Sequence, residues 1–546
     1  MKTAEISPPA TTYEPRSAPL SGRSEIRVQG RIQLGLQCGL GQRSRAPDFP
    51  SVTYSAFRPA DGTVAPIDMP PAARPGELPM RQLDWHLAKT GGDLCLADRG
   101  LTQSYGIFGA SGSGKTHLMR HLLRQLFAHC PDNPERRFGA LILDPKAAMI
   151  DTVQDIMHEA GRDTDLVILE NDELVKNGPV NIIDCALDPF ELGTALVLAG
   201  QSAGAAATEP FWFGSWKNLF TGMVPLLDWL EEEPLNIRLI ARSVLLAQPT
   251  GPGGRLEAPI QQLAREAAEQ LDDLDEGRRS DMILAISMIQ KFFAQDPREL
   301  GVVQSLIATA YGGFLRSRWA SYCGEMTYGT HGPSLYDSII EDGKVVLVSV
   351  SPFDTNMARI ICTVVKCLFQ KSVLGRLAQH RSGQLSNYVR PLLLACDEYS
   401  DVASEVPGEP MGDAHFFSNA RQYGCMSLMA TQSVNRLEAS SLKDSWRAVI
   451  SSFGGGKIFM RLADSQTAEE ATKLAGDIDW YLTSLGTSHQ KDGLGSSTNT
   501  EIRERKGLPG AVLTQTLATG QGAFIGTLDG STDSTPCTFF FEVPDA

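Results

Sequence analysis

One glycine-rich stretch has the residue types and spacing of a phosphate-binding loop. In FGASGSGKTHLMR, Gly109 is followed after four residues by Gly114-Lys115-Thr116, which completes the Walker A (P-loop) pattern. The segment SYGIF before it reads as a strand, and KTHLMRHLLRQLF after it reads as a helix. This context makes a chance glycine-rich turn the less favoured explanation. The predicted nucleotide-binding residues are Gly109, Ala110, Ser111, Gly112, Ser113, Gly114, Lys115, Thr116 and His117.

Each part of the loop has a physical role in holding a nucleoside triphosphate. Glycines let backbone N–H groups converge on the β-phosphate, and the amino end of the following helix adds positive partial charge. Lys115 would neutralise the β- and γ-phosphate oxygens as a catalytic cation, and Thr116 would bind Mg²⁺. We therefore expect ATP and Mg²⁺ as cofactors.

A pair of acids ends a second apolar segment, as in a Walker B motif. PLLLACDE places Asp397 and Glu398 after six largely apolar residues. Asp397 would lie beside Thr116 as a second group for the metal, and Glu398 would act as the general base that polarises the attacking water. The alternative is that two acids merely end a strand.

Two further residues flank the next apolar segment, CMSLMATQ. Gln432 at its end could contact both the γ-phosphate and the water, as a sensor. Arg421, eleven residues earlier, could face the nucleotide of a neighbouring subunit as an arginine finger, and the alternative is a surface ion pair. Further candidate cations, for which a structural role is favoured, are Arg447, Arg461 and Lys457.

A third strand end carries Asp144-Pro145-Lys146. It follows the segment FGALILD, which we predict to be a strand next to the P-loop strand. Asp-Pro is common in turns and lysine is usually solvated, so the residues alone indicate a strand-ending turn.

The order of apolar and helical segments predicts the α/β class. Near-continuous apolar strands that alternate with helices are typical of a parallel sheet covered on both faces. Between DLVILE and KVVLVSV the chain has amphipathic stretches and no convincing strand, which indicates an inserted helical domain. The seven predicted strands are SYGIFG, FGALILD, DLVILE, KVVLVSV, PLLLACDE, CMSLMATQ and GKIFMRL.

The two ends of the chain give weaker patterns. EIRVQGRIQLGL alternates and predicts a small β element packed on the sheet domain, and QGAFIGTL and TPCTFFFEV predict closing strands. Residues 484–507 are a Gly/Ser/Thr-rich stretch followed by alternating charges, and the Gly/Ser part predicts a long mobile loop. Within this segment, Lys491, Arg503, Arg505 and Lys506 are candidates for contacts to DNA phosphates, with a solvated charge cluster as the alternative.

Composition excludes several classes of protein. The 546 residues suit two or three domains, and the net charge of −15 requires that any nucleic acid be held by a local basic lining. The ten cysteines form no C-x-x-C pair, so neither a disulfide framework nor a zinc site is indicated. There is no run of 18 apolar residues and no secretion signal, and we expect a soluble, cytoplasmic chain without direct membrane insertion.

Taken together, the motifs resemble those of the coupling ATPases of conjugative type IV secretion, a branch of the FtsK/HerA superfamily. The matching features, in order, are GASGSGKT, LILDPKAAMID, EPFWFGSW, DGKVVLVSVSP, LLLACDEYSDV, ARQYGCMSLMATQSVNRLE and FMRLADSQTAEEATKLAG. The resemblance runs from about residue 85 to the end of the chain. Family members usually begin with transmembrane helices, whereas this sequence has no apolar run long enough to form one. Membrane anchoring is therefore not carried over from the family.

The resemblance implies a RecA-like P-loop NTPase sheet domain with an inserted all-α domain, and a homo-hexamer with ATP at the subunit interfaces. DNA would pass through the central channel, with Arg421 as finger and Gln432 as sensor. A relaxase, accessory or secreted protein would bind the helical insert, and secretion-channel proteins would dock the ring, peripherally at the inner membrane. The expected divisions are a disordered tail 1–25, a small β-containing region 26–85, a motor domain 86–186 and 341–546, and an all-α domain 187–340.

A P-loop chain with these motifs could serve three functions. The first is an ATP-driven DNA translocase that feeds DNA or nucleoprotein to a type IV secretion or conjugation system, or a soluble DNA motor in plasmid- or phage-related processing. The second is a recruitment platform, in which the helical insert and the negative surface capture a relaxase or secreted protein. A metabolic P-loop kinase is disfavoured, because kinases do not need Arg421, Gln432 and a long insert in this order.

Overall fold

The protein is described by a computed structural model. The predicted tail 1–25, most of the region 26–85 and Lys491 lie outside the described residues. The described residues are 31–37, 93–170, 174, 178–204, 209–230, 234–249, 256–324, 334–350, 354–383, 385, 387–405, 412–490, 493–527 and 537–544.

Strands occur along the whole described chain, most densely in its second half. They are β1 (Arg31–Gln37), β2 (Asp93–Ala97), β3 (Ser104–Phe108), β4 (Gly139–Asp144), β5 (Leu166–Leu169), β6 (Gln248–Pro249), β7 (Leu256–Glu257), β8 (Val345–Ser349), β9 (Leu392–Asp397), β10 (Cys425–Thr431), β11 (Gly456–Met460), β12 (Asp477–Gln490), β13 (Gly493–Lys506), β14 (Gln521–Gly526) and β15 (Cys537–Glu542).

Helices connect most of the parallel strands and fill the interval between β5 and β8. They are α1 (Lys115–Phe127), α2 (Ile150–Glu159), α3 (Pro189–Ser202), α4 (Pro210–Leu230), α5 (Ile237–Leu245), α6 (Pro259–Glu269), α7 (Glu276–Phe293), α8 (Pro297–Tyr311), α9 (Leu335–Ile340), α10 (Thr355–Arg381), α11 (Asp413–Asn419), α12 (Val434–Glu438), α13 (Trp446–Ser452) and α14 (Ser465–Ala475). Across the described ranges, no helix is both long and apolar enough to cross a bilayer.

The main sheet has eleven strands in the order β2-β1-β15-β14-β11-β3-β10-β9-β4-β8-β5. The seven strands from β11 to β5 are parallel, and they are the seven apolar segments that the sequence predicts. In the five neighbouring strands β3, β10, β9, β4 and β8, the side chains are almost entirely buried. They are buried because helices cover both faces of the sheet. The predicted α/β class is confirmed.

An antiparallel edge completes the sheet beside β11. The two predicted closing strands are β14 and β15, and β15 pairs with β1 near the start of the described chain. The N-terminal alternating segment therefore contributes a strand to the main sheet itself.

Two predictions are wrong, one about the order of strands in the sheet and one about a loop. The strand that ends in Asp144-Pro145-Lys146 is not beside the P-loop strand, since β10 and β9 lie between β3 and β4. The segment 484–507 is mostly strand, because β12 and β13 pair antiparallel from Asp477↔Lys506 to Gln490↔Gly493. Its glycines and serines suggested a loop, but the pairing partner supplies the backbone hydrogen bonds that the composition alone could not indicate.

The all-α insert of the RecA-like fold is packed around aromatic side chains. Trp216, Phe220 and Tyr311 are fully buried, with ring centroids 5.7 to 6.3 Å apart. Polar residues fix the starts of its helices: Asp188, for example, accepts the N–H of the residue two positions on, with proline as the first helical residue. Apart from the two-residue strands β6 and β7, the regular structure described between residues 178 and 340 is helical.

A buried ion pair joins helix α10 to the segment that follows the Walker B strand β9. The ammonium of Lys366 donates to both oxygens of Asp413 at 2.7 Å, and both side chains are fully buried. Asp413 also accepts the hydroxyl of Tyr399 at 2.6 Å and the backbone N–H of Ser404 at 2.7 Å. Because Tyr399 directly follows Glu398, this network fixes the chain just after the Walker B acids.

Replacing Lys366 with methionine is expected to lower the free energy of unfolding by about 3–5 kcal/mol, because Asp413 would be left buried without its counter-charge. Urea denaturation followed by tryptophan fluorescence would measure the loss. The matched control is Lys371→Met, which removes a lysine five positions along the same helix. A loss below about 1 kcal/mol, the size expected of an exposed pair, would contradict the assigned role of the ion pair.

Candidate functional site

The carboxyl ends of four parallel strands bring the candidate residues together. Strands β3, β10, β9 and β4 are consecutive in the sheet and point the same way. The P-loop follows β3, Gln432 follows β10, Asp397 and Glu398 end β9, and Lys146 follows β4. Ligands of open α/β sheets bind at this edge.

The P-loop has the backbone geometry of a phosphate cradle. Gly112 and Gly114 have positive φ angles of 71° and 102°, which glycine adopts without steric cost. Lys115 folds over the loop, and its ammonium donates to the carbonyls of Gly109 at 2.6 Å and Ala110 at 3.0 Å. Burial lowers the pKa of Lys115, against the opposing effect of the Glu398 and Asp397 carboxylates.

The packing of the loop and its polar groups without partners in the described part of the chain are also consistent with phosphate binding. A Cβ at Gly109 would lie 2.5 Å from the hydroxyl of Ser113, so the loop is close-packed on its inner side. That hydroxyl is buried without a hydrogen-bond partner in the described residues. Ser111 and Gly112 at the tip are exposed, which leaves the mouth of the cradle open.

A turn before β14 supports the loop from outside. The N–H of Gly520 donates to the carbonyl of Ser113 at 3.0 Å, and the hydroxyl of Thr519 donates to the carbonyl of Gly112 at 3.4 Å. A ring nitrogen of His117 lies 3.0 Å from the carbonyl of Pro544. This support could not be predicted, since nothing in the sequence of residues 517–521 indicates where the turn folds back.

Replacing Gly114 with alanine is expected to weaken ATP binding by about tenfold more than replacing Gly112 does, a difference of ~1.4 kcal/mol. Both positions have positive φ, so alanine is strained at each by about 1–2 kcal/mol. At Gly114 the new Cβ would also meet the backbone nitrogen of Gly520 at 2.9 Å, whereas at Gly112 it would meet nothing within 4 Å. Titration with a fluorescent ATP analogue compares the two, and equal losses would contradict the role given to the turn.

Thr116 and Asp397 form the candidate magnesium site. The Thr116 hydroxyl donates to Oδ2 of Asp397 at 3.0 Å, although the strand β10 separates β9 from the P-loop strand. Hydroxyl and carboxylate oxygens are ligands that Mg²⁺ accepts, usually with several waters kept. The donor set therefore fits the metal that the sequence predicts.

Glu398 is held in an unusual position beside this pair. It has φ 92°, a region that is costly for a residue with a side chain and that is found mainly where the surroundings enforce it. Its side chain is 4% exposed. The Oε2 atom accepts the ammonium of Lys146 and the amide N–H of Gln432 at 3.2 Å. Oε1 is buried without a hydrogen-bond partner in the described residues.

The structure separates Arg421 from the other candidates. Arg421 lies in the turn Ala420–Tyr423 before β10, whereas Gln432 follows β10. Seven residues of strand span about 23 Å, so Arg421 is at the amino edge of the sheet and cannot reach the P-loop of its own chain. Arg421 is partly exposed, and its turn is fixed by Arg376, whose guanidinium donates to the carbonyl of Tyr423 at 2.7 Å.

The three other candidate cations named from the sequence lie in different parts of the structure. The carbonyl of Arg461 accepts the N–H of Ala110 at 2.9 Å, which puts this residue beside the P-loop. The ammonium of Lys457 donates to the carbonyl of Phe453 at 3.0 Å, and the guanidinium of Arg447 lies 4.8 Å from the ring centre of Trp446. These contacts favour structural roles for Lys457 and Arg447.

Of the residues considered for DNA contacts, Arg503, Arg505 and Lys506 lie on β13, and Lys491 lies outside the described residues. Lys506 forms an ion pair with Asp477 at 2.9 Å, which favours a structural role for that lysine. Arg503 and Arg505 pair through their backbones with Trp480 and Ile478.

Two family models match the chain in the regions that carry these motifs. The model described as the central domain of the helicase HerA matches residues 86–147, which include the P-loop. The model described as the TraM recognition site of TraD and TraG matches residues 391–515, which include Glu398, Arg421 and Gln432. No protein of curated function matches the sequence significantly.

Solved structures share the fold at low sequence identity. The unbound monoclinic form of the bacterial conjugative coupling protein TrwBΔN70 aligns with TM-score 0.54 and 12% identity over 82% of this chain and 85% of that chain. The plasmid coupling protein TrwB aligns in complex with the GTP analogue GDPNP, with TM-score 0.54, 12% identity and coverage of 82% and 86%. Its complex with ADP and Mg²⁺ aligns with TM-score 0.50 and 13% identity over 95% of this chain and 96% of that chain.

The shared fold agrees with what the two family models indicate. Both models match at the positions and in the chain order that the motifs predict. The chain is thus similar in sequence to these two family models and in fold to the conjugative coupling protein TrwB.

Proposed function

We propose that this protein is a ring-forming ATPase that moves DNA, or a nucleoprotein substrate, into a type IV secretion or conjugation system. It would act in the cytoplasm, peripherally at the inner membrane through partners. The observation that carries the proposal is the meeting of Lys115, Thr116, Asp397, Glu398 and Gln432 at one edge of the sheet. This is the set of groups needed to bind a triphosphate and activate a water molecule.

Each of these side chains has a proposed role in hydrolysis. Thr116 and Asp397 would hold Mg²⁺, which, when bound, offsets the charge on the phosphate oxygens. Lys115 would leave the two loop carbonyls that it now contacts and bind the phosphates. Glu398 would take a proton from the attacking water, and Gln432, already in contact with Glu398, would orient that water.

The position of Arg421 supports a ring. In an assembly of identical subunits packed head to tail, the amino edge of one sheet can face the carboxyl edge of the next. Arg421 would then complete the site of its neighbour. We propose a homo-hexamer with DNA in a central channel, and with a motor domain of residues 86–186 and 341–546 around the inserted domain of residues 187–340.

DNA-dependent hydrolysis tests the proposal. The purified chain should hydrolyse ATP faster when single- or double-stranded DNA is added, and Lys115→Ala should abolish both the basal and the stimulated rate. Protein concentration should be raised until rings form, with assembly followed by light scattering. An ATPase rate that neither form of DNA changes at any such concentration would contradict the motor.

A second candidate function is the recruitment of a protein substrate. The inserted domain exposes apolar side chains on α7, where Ile283 and Leu284 are each 49% exposed, and exposed apolar patches are common at protein interfaces. The match to a TraM recognition model covers residues 391–515 instead, which supports contact of a relaxosome accessory protein with the motor domain. If Ile283→Glu/Leu284→Glu blocks substrate delivery without lowering DNA-stimulated hydrolysis, the insert serves recruitment.

A further inference from the structure

Lys146 lies at the site because it follows β4, the strand beside the Walker B strand β9. β4 and β9 are paired in parallel, with Leu143 opposite Cys396, so the residues that follow each strand are neighbours. From the sequence alone Lys146 belongs to a strand-ending turn, because Asp-Pro is common in turns and lysine is usually solvated. In the observed strand order Lys146 reaches Glu398.

The loop that carries Lys146 is shaped by the buried Asp144. Its Oδ2 atom accepts the N–H of Met149 at 2.7 Å and the hydroxyl of Ser349 at 3.1 Å. The next turn requires a positive φ of 53° at Ala147. Lys146 is therefore presented from a fixed turn, although its own side chain is 49% exposed.

Glu398 needs a cation at this place. Its carboxylate is buried beside the carboxylates of Asp397 and Asp401, and these acids share their surroundings with Lys115 and Lys146. A buried anion without a paired cation is costly. Lys115 is occupied by the carbonyls of the P-loop, and Lys146 makes the direct contact to Glu398.

We propose that Lys146 is a positioning residue for the general base Glu398, an inference that rests on the proposed ATPase function. Lys146 and Gln432 both bind Oε2, which fixes the plane of the carboxylate and leaves Oε1 as the oxygen that acts. Oε1 takes a proton from the water as the water oxygen bonds to the γ-phosphorus and the bond from that phosphorus to the departing ADP breaks. Lys146 keeps its own proton throughout.

The test compares two lysines that make similar ion pairs. Lys146→Met removes the partner of Glu398. The control, Lys344→Met, removes a lysine that pairs with the equally buried Asp165 at 3.4 Å but precedes β8, at the opposite edge of the sheet. We expect Lys146→Met to lower kcat by about 10- to 100-fold, a part of the 10²–10⁴ that a general base contributes. Binding of a fluorescent ATP analogue should be unchanged, and the control should retain wild-type kcat.

Two further variants separate positioning from a purely structural role. Lys146→Arg, which keeps the charge, should recover most of the lost kcat. In a Glu398→Gln background, Lys146→Met should cause no further loss of turnover, because the group that it positions is absent. The melting temperature of the nucleotide-free protein gives a readout without turnover: Lys146→Met should lower it in the presence of Glu398 and lower it less in the Glu398→Gln background.

The inference is overturned if Lys146→Met hydrolyses ATP as fast as or faster than an active wild type, or if its loss adds fully to that of Glu398→Gln. An inactive wild type would instead contradict the proposed function. In that case the melting temperatures still decide whether Lys146 holds Glu398, and equal shifts in the two backgrounds would show that it does not.

Discussion

Replacing Glu398 with glutamine is expected to slow ATP hydrolysis by about 10²–10⁴-fold, which is the contribution of a general base. The amide cannot accept the proton of the attacking water. It has nearly the same shape, however, and Gln432 and Lys146 remain beside it. Nucleotide affinity should therefore be retained, since Lys115, Thr116 and Asp397 are unchanged.

Single-turnover hydrolysis and equilibrium binding of an ATP analogue measure these two effects separately. Asp401→Asn is the matched control, because it removes a second carboxylate near Lys146 but keeps Glu398, which accepts the ammonium of Lys146 and the amide N–H of Gln432. The control should remain close to the wild type. If Glu398→Gln hydrolyses within about threefold of wild type, another group is the base.

Replacing Arg421 with alanine is expected to lower hydrolysis by about 10³-fold or more, which is the lower range for an arginine finger. The loss should occur although Arg421 lies at the opposite edge of its own sheet, about 23 Å along β10 from Gln432. ATP binding to the isolated subunit should be unaffected, because Lys115 and the P-loop belong to the same chain as the nucleotide.

Steady-state ATPase assays under ring-forming conditions measure this loss. The control is Arg447→Ala, which removes a guanidinium that stacks on Trp446 of its own chain and is expected to change turnover little. Wild-type turnover by Arg421→Ala in assembled rings would contradict the trans finger. Failure of the variant to form rings would be recognised by light scattering and would call for Arg421→Lys in its place.

The P-loop and the acids of the site could be predicted because each belongs to a short contiguous sequence pattern. The strand, loop and helix around Lys115 specify the cradle, and PLLLACDE specifies both the strand β9 and the acids that end it. Apolar runs identified the parallel strands for the same reason: a strand covered on both faces must be apolar almost throughout.

The neighbours of those patterns were harder to predict. Strand order depends on how crossovers pack, so the proximity of Lys146 to Glu398 follows from β4 lying beside β9 and not from any motif. The support of Gly114 by Gly520 joins segments about 400 residues apart and has no signal in either. The β12–β13 hairpin was not predicted, because pairing between two adjacent segments outweighed a composition that is typical of loops.

The central claim is that ATP is hydrolysed at a seam between two copies of the chain, and mixing two inactive variants tests it most directly. Lys115→Ala lacks the cradle lysine and Arg421→Ala lacks the finger, but an interface between them can contain one intact copy of each group. Equal mixing should restore about a quarter of wild-type ATPase activity if the head-to-tail interfaces act independently. A mixture that forms rings and yet remains as inactive as the two variants measured separately would contradict the account.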